Sequence, residues 1–209
     1  MTDVEGEVAA APGRRSRAKA DRRRELLRAA ARLIAERGFP GVRLEDLGSA
    51  VGISGPAVYR HFPNKDALLV ELLTDISERL LAGGTDVVER VPDPRRALEE
   101  LVDFHLDFAL GEPDLIRVQD RDLHSLPDDA RHRVRQTQRR YVEIWVGVLR
   151  RIDPGLDSTH ARIAAHATFG LINSTPYSAV SPSVDATNGN TTRRVLRRMA
   201  LTALATRSG

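Results

Sequence analysis

Residues 42–62 read VRLEDLGSAVGISGPAVYRHF, and the punctuation of that stretch decides how the first third of the chain folds. Leu44, Leu47 and Val51 recur at helical spacing, Gly52-Ile53-Ser54 interrupts, and Val58 and Phe62 resume the apolar pattern. Two short helices joined by a tight turn satisfy this order. Gly52 permits the positive φ of such a turn, Ile53 can tuck beneath the pair, and Ser54 stands where a hydroxyl caps the next helix. The layout is that of a helix-turn-helix.

Upstream, Leu26, Leu27, Ala30, Leu33 and Ile34 form one apolar face of a helix predicted over 18–37, which Gly38 stops. Downstream, Asn64 caps a helix striped by Leu68, Leu69, Leu72, Leu73, Ile76 and Leu80 and predicted to end at Gly83-Gly84. Pro94 opens a helix through Leu98, Leu101, Val102, Phe104, His105 and Phe108. A shorter one covers 113–123. Pro127 then opens a long helix with Val134, Tyr141, Trp145, Val148 and Ile152 on one face. Asp153-Pro154-Gly155 supplies a turn, Asp157 or Ser158 caps a helix reaching about residue 175, and 181–190 reads as a mobile loop before a last helix over 191–205. No stretch alternates β-branched and polar residues, so the predicted fold is all-α with about nine helices.

A hydrophobic content of 41% and a charged content of 29% suit a soluble globular chain with a true core. The net charge of +3 is modest, but its distribution is not even. Between residues 14 and 28 stand Arg14, Arg15, Arg17, Lys19, Arg22, Arg23, Arg24 and Arg28 against only Asp21 and Glu25, the electrostatic footprint of a nucleic-acid contact. With no cysteine, disulfides, thiolate nucleophiles and Cys-ligated zinc are excluded. The first residues lack the order of a signal peptide and no stretch approaches a membrane span, which predicts a cytoplasmic protein without a membrane partner. Only two of the 32 basic residues are lysines, as a GC-rich genome such as an actinomycete's would produce.

The run AVGISGPAVYRHFPNKDAL, preceded at the right distance by RRRELLRAAARLIAERGF, resembles the N-terminal domain of the TetR family of bacterial transcriptional regulators. The resemblance spans about 50 residues; the remainder matches the family only in being helical and of suitable length. It implies a homodimer whose recognition helices enter successive major grooves of a palindromic double-stranded operator. It also implies phosphate contacts from Tyr59, His61 and Lys65. Where the family's first motif helix begins with two threonines, this chain has Val42 and Arg43. Where the recognition helix begins Lys-Gly-Thr, it has Gly55-Pro56-Ala57, following Ser54. Base reading is therefore expected to lean on apolar contacts of Pro56 or Ala57 with thymine methyl groups, with Arg43 and Arg60 as polar readers. Arg14, Arg15 and Arg17 are expected to compensate from a flexible arm. The implied organisation is a disordered basic arm over 1–17, a DNA-binding domain over 18–64 and a ligand-binding and dimerisation domain over 65–209.

In that last part Phe104, Phe108, Tyr141, Trp145, Phe169 and Tyr177 mingle with His105, Gln119, Asp122, His124, His166 and Asn173, a mixture that suits a ligand pocket and an ordinary core alike. The resemblance favours a pocket for a small hydrophobic effector, with Phe104, Phe108, Gln119, His124, Tyr141, Trp145, Phe169 and Asn173 as its candidates. By the same resemblance the last two helices form a dimer face through Ala164, Ala167, Gly170, Leu171, Ser174, Val195, Met199 and Ala203. Segments RDLHSLP, RRYVEIW and HATFGLINS resemble actinobacterial members of the family that control lipid or steroid catabolism, making acyl-CoA thioesters candidate effectors. Ligand is expected to move the helix from 65 to 82 and release DNA. The alternatives are a ligand-independent architectural DNA-binding protein and, on Asp120, Asp122, His124 and His132, a metal protein or enzyme. Their spacing matches no metal-ligand motif, a solvated loop being the simpler account, so no metal, cofactor or catalytic residue is expected.

Overall fold

In a computed structural model, residues 14–174 and 186–205 are described, with side chains placed for 17–174 and 190–205. They form nine α-helices and no strand: α1 Arg14–Arg37, α2 Leu44–Val51, α3 Gly55–Tyr59, α4 Lys65–Arg90, α5 Pro94–Gly111, α6 Pro113–Asp122, α7 Asp128–Ile152, α8 Ser158–Asn173 and α9 Ala186–Ala205. A short 3₁₀ turn, Leu123–Ser125, follows α6.

The caps account for most of the boundaries. Gly38 and Gly52 hold φ of 78° and 71°, the left-handed conformation that ends α1 and turns α2 into α3. Asn64 Oδ1 accepts from Ala67 N at 2.7 Å, Asp93 Oδ1 from Arg96 N at 2.8 Å, and Asp157 Oδ2 from Thr159 N at 2.9 Å. Ser54 is an exception. Its side chain makes no capping bond, because Pro56 has no N–H to offer and Ala57 N–H already donates to Ser54 O at 2.9 Å. The hydroxyl expected to cap α3 is therefore left for another partner.

Three boundaries differ from the sequence reading. The first helix starts at Arg14, so Arg14, Arg15 and Arg17, expected in a disordered arm over 1–17, lie on its first turns, while 1–13 lie outside the described residues. Part of the expected loop, 186–190, belongs to α9, while 181–185 and Tyr177 lie outside the described residues. Most informatively, α4 runs through Gly83-Gly84 to Arg90. The two glycines admit neighbours. A Cβ on Gly83 would lie 2.2 Å from Phe104 Cζ, and one on Gly84 would lie 2.6 Å from Tyr141 Cε2. Gly84→Ala should thus destabilise by about 1–3 kcal/mol through overpacking against the buried Tyr141 ring, although alanine is the better helix former by about 0.8–1.0 kcal/mol. Urea unfolding with unchanged or increased stability would refute this.

Two apolar clusters fill the interior. In one, Leu26, Ala30 and Ile34 of α1 meet Leu47, Val58 and Phe62 beneath the helix-turn-helix, and Leu68, Leu69, Leu72 and Leu73 of α4 close it from below. Leu115 and Val118 of α6, with Leu126 and Val134, complete that cluster, so packing continues well past residue 64. The other surrounds Trp145, which is fully buried among Leu101, Leu106, Tyr141, Leu149, Ala165 and Ile172.

Candidate nucleic-acid interface and ligand cavity

α3 is only five residues long, and it buries Val58 while leaving Ser54, Pro56, Tyr59 and Arg60 exposed, with Gly55 and Ala57 half-buried. A groove of about 260 Å³ beside it is lined by Arg43, Glu45, Tyr59, Asn64 and Lys65, which brings three of the predicted DNA contacts together at the N-terminus of α4. Their present engagements are with the protein. Tyr59 Oη donates to Glu45 Oε1 at 2.9 Å, and backbone bonding followed by this phenol holds the Glu45 carboxyl below its ordinary range. Lys65 Nζ donates to Phe39 O at 2.9 Å and lies 4.5 Å from the centre of the Phe39 ring, so the ammonium expected on a phosphate ties α4 to the α1–α2 turn. The exposed Arg43 precedes α2, its N–H donating to Asp46 Oδ2 at 2.9 Å.

His61 sits on the opposite flank, against α1. Its Nδ1 is buried without a partner, and burial, then the charges of Arg23, Lys19 and Arg22, hold its pKa below the ordinary value. A neutral imidazole with that buried Nδ1 as the bare nitrogen presents Nε2–H outward, the polarity a phosphate oxygen accepts. Arg23, counted in the basic run, serves the fold: its guanidinium pairs with Glu71, bonds His61 O and lies 4.4 Å from the centre of the Phe62 ring. Arg17 is exposed, whereas the side chains of Arg14 and Arg15 lie outside those described.

Within the C-terminal helices, a cavity of about 220 Å³ is lined by Ser77 and Leu80 of α4, His105 and Phe108 of α5, Ile116 and Gln119 of α6, Gln138, Tyr141 and Val142 of α7, and His166, Phe169 and Asn173 of α8. Five predicted residues, Phe108, Gln119, Tyr141, Phe169 and Asn173, line it. Trp145 stands behind, edge-on to Phe169 at 4.9 Å between ring centres. Two predicted residues lie elsewhere. Phe104 packs over Gly83 on the α4 side of α5, and His124 is exposed on the 3₁₀ turn, where its carbonyl accepts from Arg131. His105, His166, Ser77 and Gln138 were not among the predicted ligand residues. For His105 the available signal was its place one helical turn from Leu101 and two from Leu98 on the buried face of α5.

His105 is the centre of a polar chain. Tyr141 Oη lies 3.2 Å from Nδ1 and Asn173 Oδ1 lies 3.1 Å from Nε2. The amide oxygen accepts only, so Nε2 carries the proton and Nδ1 accepts from the phenol. Burial pushes the imidazole down to about 4 and raises the Tyr141 phenol. An unfolded chain binds a proton near pH 6.5 that the native His105 refuses until about pH 4, so stability falls as pH drops through that window. The cost approaches about 3 kcal/mol at pH 4. Melting temperatures of wild type and His105→Phe should therefore converge as pH is lowered; parallel curves would contradict this origin.

α6 also faces the DNA-binding unit. Asp122, expected in a solvated loop, is 2% exposed, and its Oδ1 accepts from Phe39 N at 3.3 Å. Its Oδ2 pairs with Arg121 at 3.1 Å, and the Arg121 guanidinium also donates to Ile34 O and Ala35 O at the end of α1. A single helix thus touches the cavity through Gln119 and the turn after α1 through Asp122.

Among the predicted dimer residues, Ala167, Gly170, Ser174, Val195, Met199 and Ala203 are exposed, whereas Ala164 and Leu171 pack partly against the subunit's own core. Ile163, missed from the sequence, is 60% exposed beside them. No described helix is long and apolar enough to cross a membrane, and no group of three or more His, Cys, Asp or Glu suited to a metal occurs among the described residues.

A short helix-turn-helix on a helical body with a cavity defines the class by architecture: a motif of the kind that enters a DNA groove, joined to a helical domain of the kind that can enclose a ligand. Residues 26–72 match the model for bacterial regulatory proteins of the tetR family, and residues 92–177 match the tetracyclin repressor-like C-terminal domain. The chain belongs to the TetR family. The HTH-type regulator EthR of Mycolicibacterium smegmatis is 28% identical over 63% of this chain, and the HTH-type repressor KstR2 of Rhodococcus jostii is 30% identical over 63%. The matches span 55% and 65% of those two proteins. The structure of AibR in complex with isovaleryl coenzyme A and operator DNA shares the fold, with a TM-score of 0.70 at 18% identity over 85% of this chain and 97% of that one.

Proposed function

We propose that this protein is a cytoplasmic transcriptional repressor that binds a palindromic operator as a homodimer and is released by a small effector in the α4–α8 cavity. The observation that carries the reading is the sharing of α6 between the cavity and the α1 turn, which gives ligand a route to the helix-turn-helix. Relatives named as transcriptional regulators, and a fold neighbour holding both a coenzyme A thioester and operator DNA, support it. The exposed apolar face of α8 and α9 supports the dimer.

In this reading Ser54, Pro56, Ala57, Arg43 and Arg60 meet the major groove. Tyr59, His61 and Lys65 meet phosphates, for which Tyr59 exchanges Glu45 for DNA. Arg14, Arg15 and Arg17 continue the basic flank of α1. A gel shift with DNA flanking the protein's own gene, repeated with candidate effectors, tests the whole; absence of a shift with any such fragment would overturn it. Replacing Arg14, Arg15 and Arg17 by alanine should weaken binding and flatten the salt dependence of log K by up to about 0.9 for each phosphate that these side chains no longer neutralise. An unchanged slope would remove those arginines from the interface.

A further inference from the structure

We infer that the cavity selects an uncharged, compact ring compound bearing a carbonyl oxygen and rejects carboxylates and phosphates, an inference resting on the cavity being the effector site.

Charge is the first argument. The side chains lining the cavity are Ser, Gln, Asn, Tyr, His and apolar groups. Among the described residues the buried charged side chain is Asp122, already committed to Phe39 and Arg121. His105 is the cavity's buried histidine, and its ring is held neutral, with both nitrogens engaged by Tyr141 and Asn173. His166 is exposed and stands at the rim. An anion moved into this space would lose its hydration without gaining a buried counter-ion, which strongly favours neutral ligands. The diphosphate of a coenzyme A would have to remain outside.

Hydrogen-bond polarity is the second. The Tyr141 hydroxyl proton is spent on His105 Nδ1, the His105 Nε2 proton is spent on Asn173 Oδ1, and Ser77 Oγ donates to Leu73 O at 2.8 Å. What the chain leaves to a guest is the amide N–H₂ of Asn173, joined by the carboxamides of Gln119 and Gln138. The Asn173 N–H₂, its oxygen already taken by His105, calls for an acceptor on the ligand, and either Gln can turn its own N–H₂ toward the same atom. A ketone or lactone oxygen fits that demand without bringing charge.

Shape and size complete the description. Tyr141 and Phe169 stack on each other, 13° apart with centres 5.6 Å from one another, and His105 lies 4.8 Å from Phe169, so a packed aromatic cluster bounds one side of the cavity and offers apolar ring contacts to a cyclic guest. A cavity of about 150 Å³ holds one benzene loosely, so 220 Å³ takes about nine non-hydrogen atoms at the same filling and a small fused bicycle at closer filling.

Isothermal titration of the full-length protein with α-tetralone, tetralin, 1-naphthoate and acetyl-CoA tests this. α-Tetralone should bind once per chain and at least tenfold more tightly than tetralin, which lacks the oxygen, or 1-naphthoate, which carries a charge. Asn173→Leu and Gln119→Leu should each erase the preference for tetralone over tetralin; two variants are used because the first also strips His105 of a partner. Gln119→Lys should admit 1-naphthoate at least tenfold better. Tighter binding of naphthoate or acetyl-CoA than of tetralone, or no binding of tetralone, overturns the inference. Operator affinity measured in parallel judges the effector site separately. Tetralone that binds without altering operator affinity leaves the ligand class standing and sinks the sensor reading. A charged compound that binds and releases DNA does the reverse.

Discussion

Replacing Asp122 with alanine is expected to destabilise the protein by about 2–3 kcal/mol and to lower operator affinity at least tenfold. The carboxylate is almost wholly buried and satisfies Phe39 N–H with one oxygen and Arg121 with the other. Truncation leaves a donor unpaired in the interior, at about 1–3 kcal/mol, and strips a half-exposed guanidinium of its partner, which adds less because solvent screens it. Arg121 would then hold the α1 carbonyls of Ile34 and Ala35 without the carboxylate that orients it. The consequence reaches DNA because α6 is what fixes the end of α1, and two recognition helices can meet two half-sites only if each is held at one angle to its subunit's body. Asp122→Asn, which keeps an oxygen for Phe39, should retain most of the stability and lose part of the affinity. Urea unfolding and fluorescence anisotropy with operator DNA measure the two effects. Wild-type affinity in a destabilised Asp122→Ala protein would reduce the contact to a purely structural one.

That contact shows where sequence reading succeeds and where it stops. Local signals suffice for the helices, because each apolar stripe and each cap at Asn64, Asp93 and Asp157 is written within a few residues. The turn at Gly52 is legible for the same reason, since its φ of 71° is the requirement glycine meets. Gly83 and Gly84 mislead because their role is non-local: they stop a helix in isolation, but here they make room for rings that arrive from α5 and α7. Asp122 reads as a solvated charge and Arg23 as part of a nucleic-acid footprint for a similar reason, their partners Phe39, Glu71 and His61 lying far along the chain. Of the candidate ligand residues, those on the inward faces of α5 to α8 converge, whereas His124 was suggested by residue type alone and sits in solvent. On the DNA face, sequence nominates candidates but not their present engagements, with Tyr59 on Glu45 and Lys65 on the Phe39 carbonyl.

Met199→Glu combined with Val195→Glu should convert the proposed dimer to a monomer and lower operator affinity at least a hundredfold. Met199 is 47% and Val195 38% exposed in the single subunit, so neither substitution takes an apolar group out of the core. The opposite face of α9 holds it in place: Leu196 and Ala200 are buried in the second cluster, Arg193 pairs with Asp103 and Asp107, and Arg197 pairs with Asp103 and Glu99. The helix therefore stays docked on α5 when its outer stripe becomes charged, and each subunit should keep its fold. Affinity falls because one recognition helix of five residues, poor in base-reading side chains, is left to hold DNA unaided. In a dimer the second half-site is met at an effective concentration of order millimolar, and that advantage disappears with the partner. Sedimentation velocity at micromolar protein, anisotropy with operator DNA and a thermal melt decide the matter together. A double variant that stays dimeric would move the interface off the α8 and α9 face, and a monomer that binds operator as tightly as wild type would show that the half-sites are read independently.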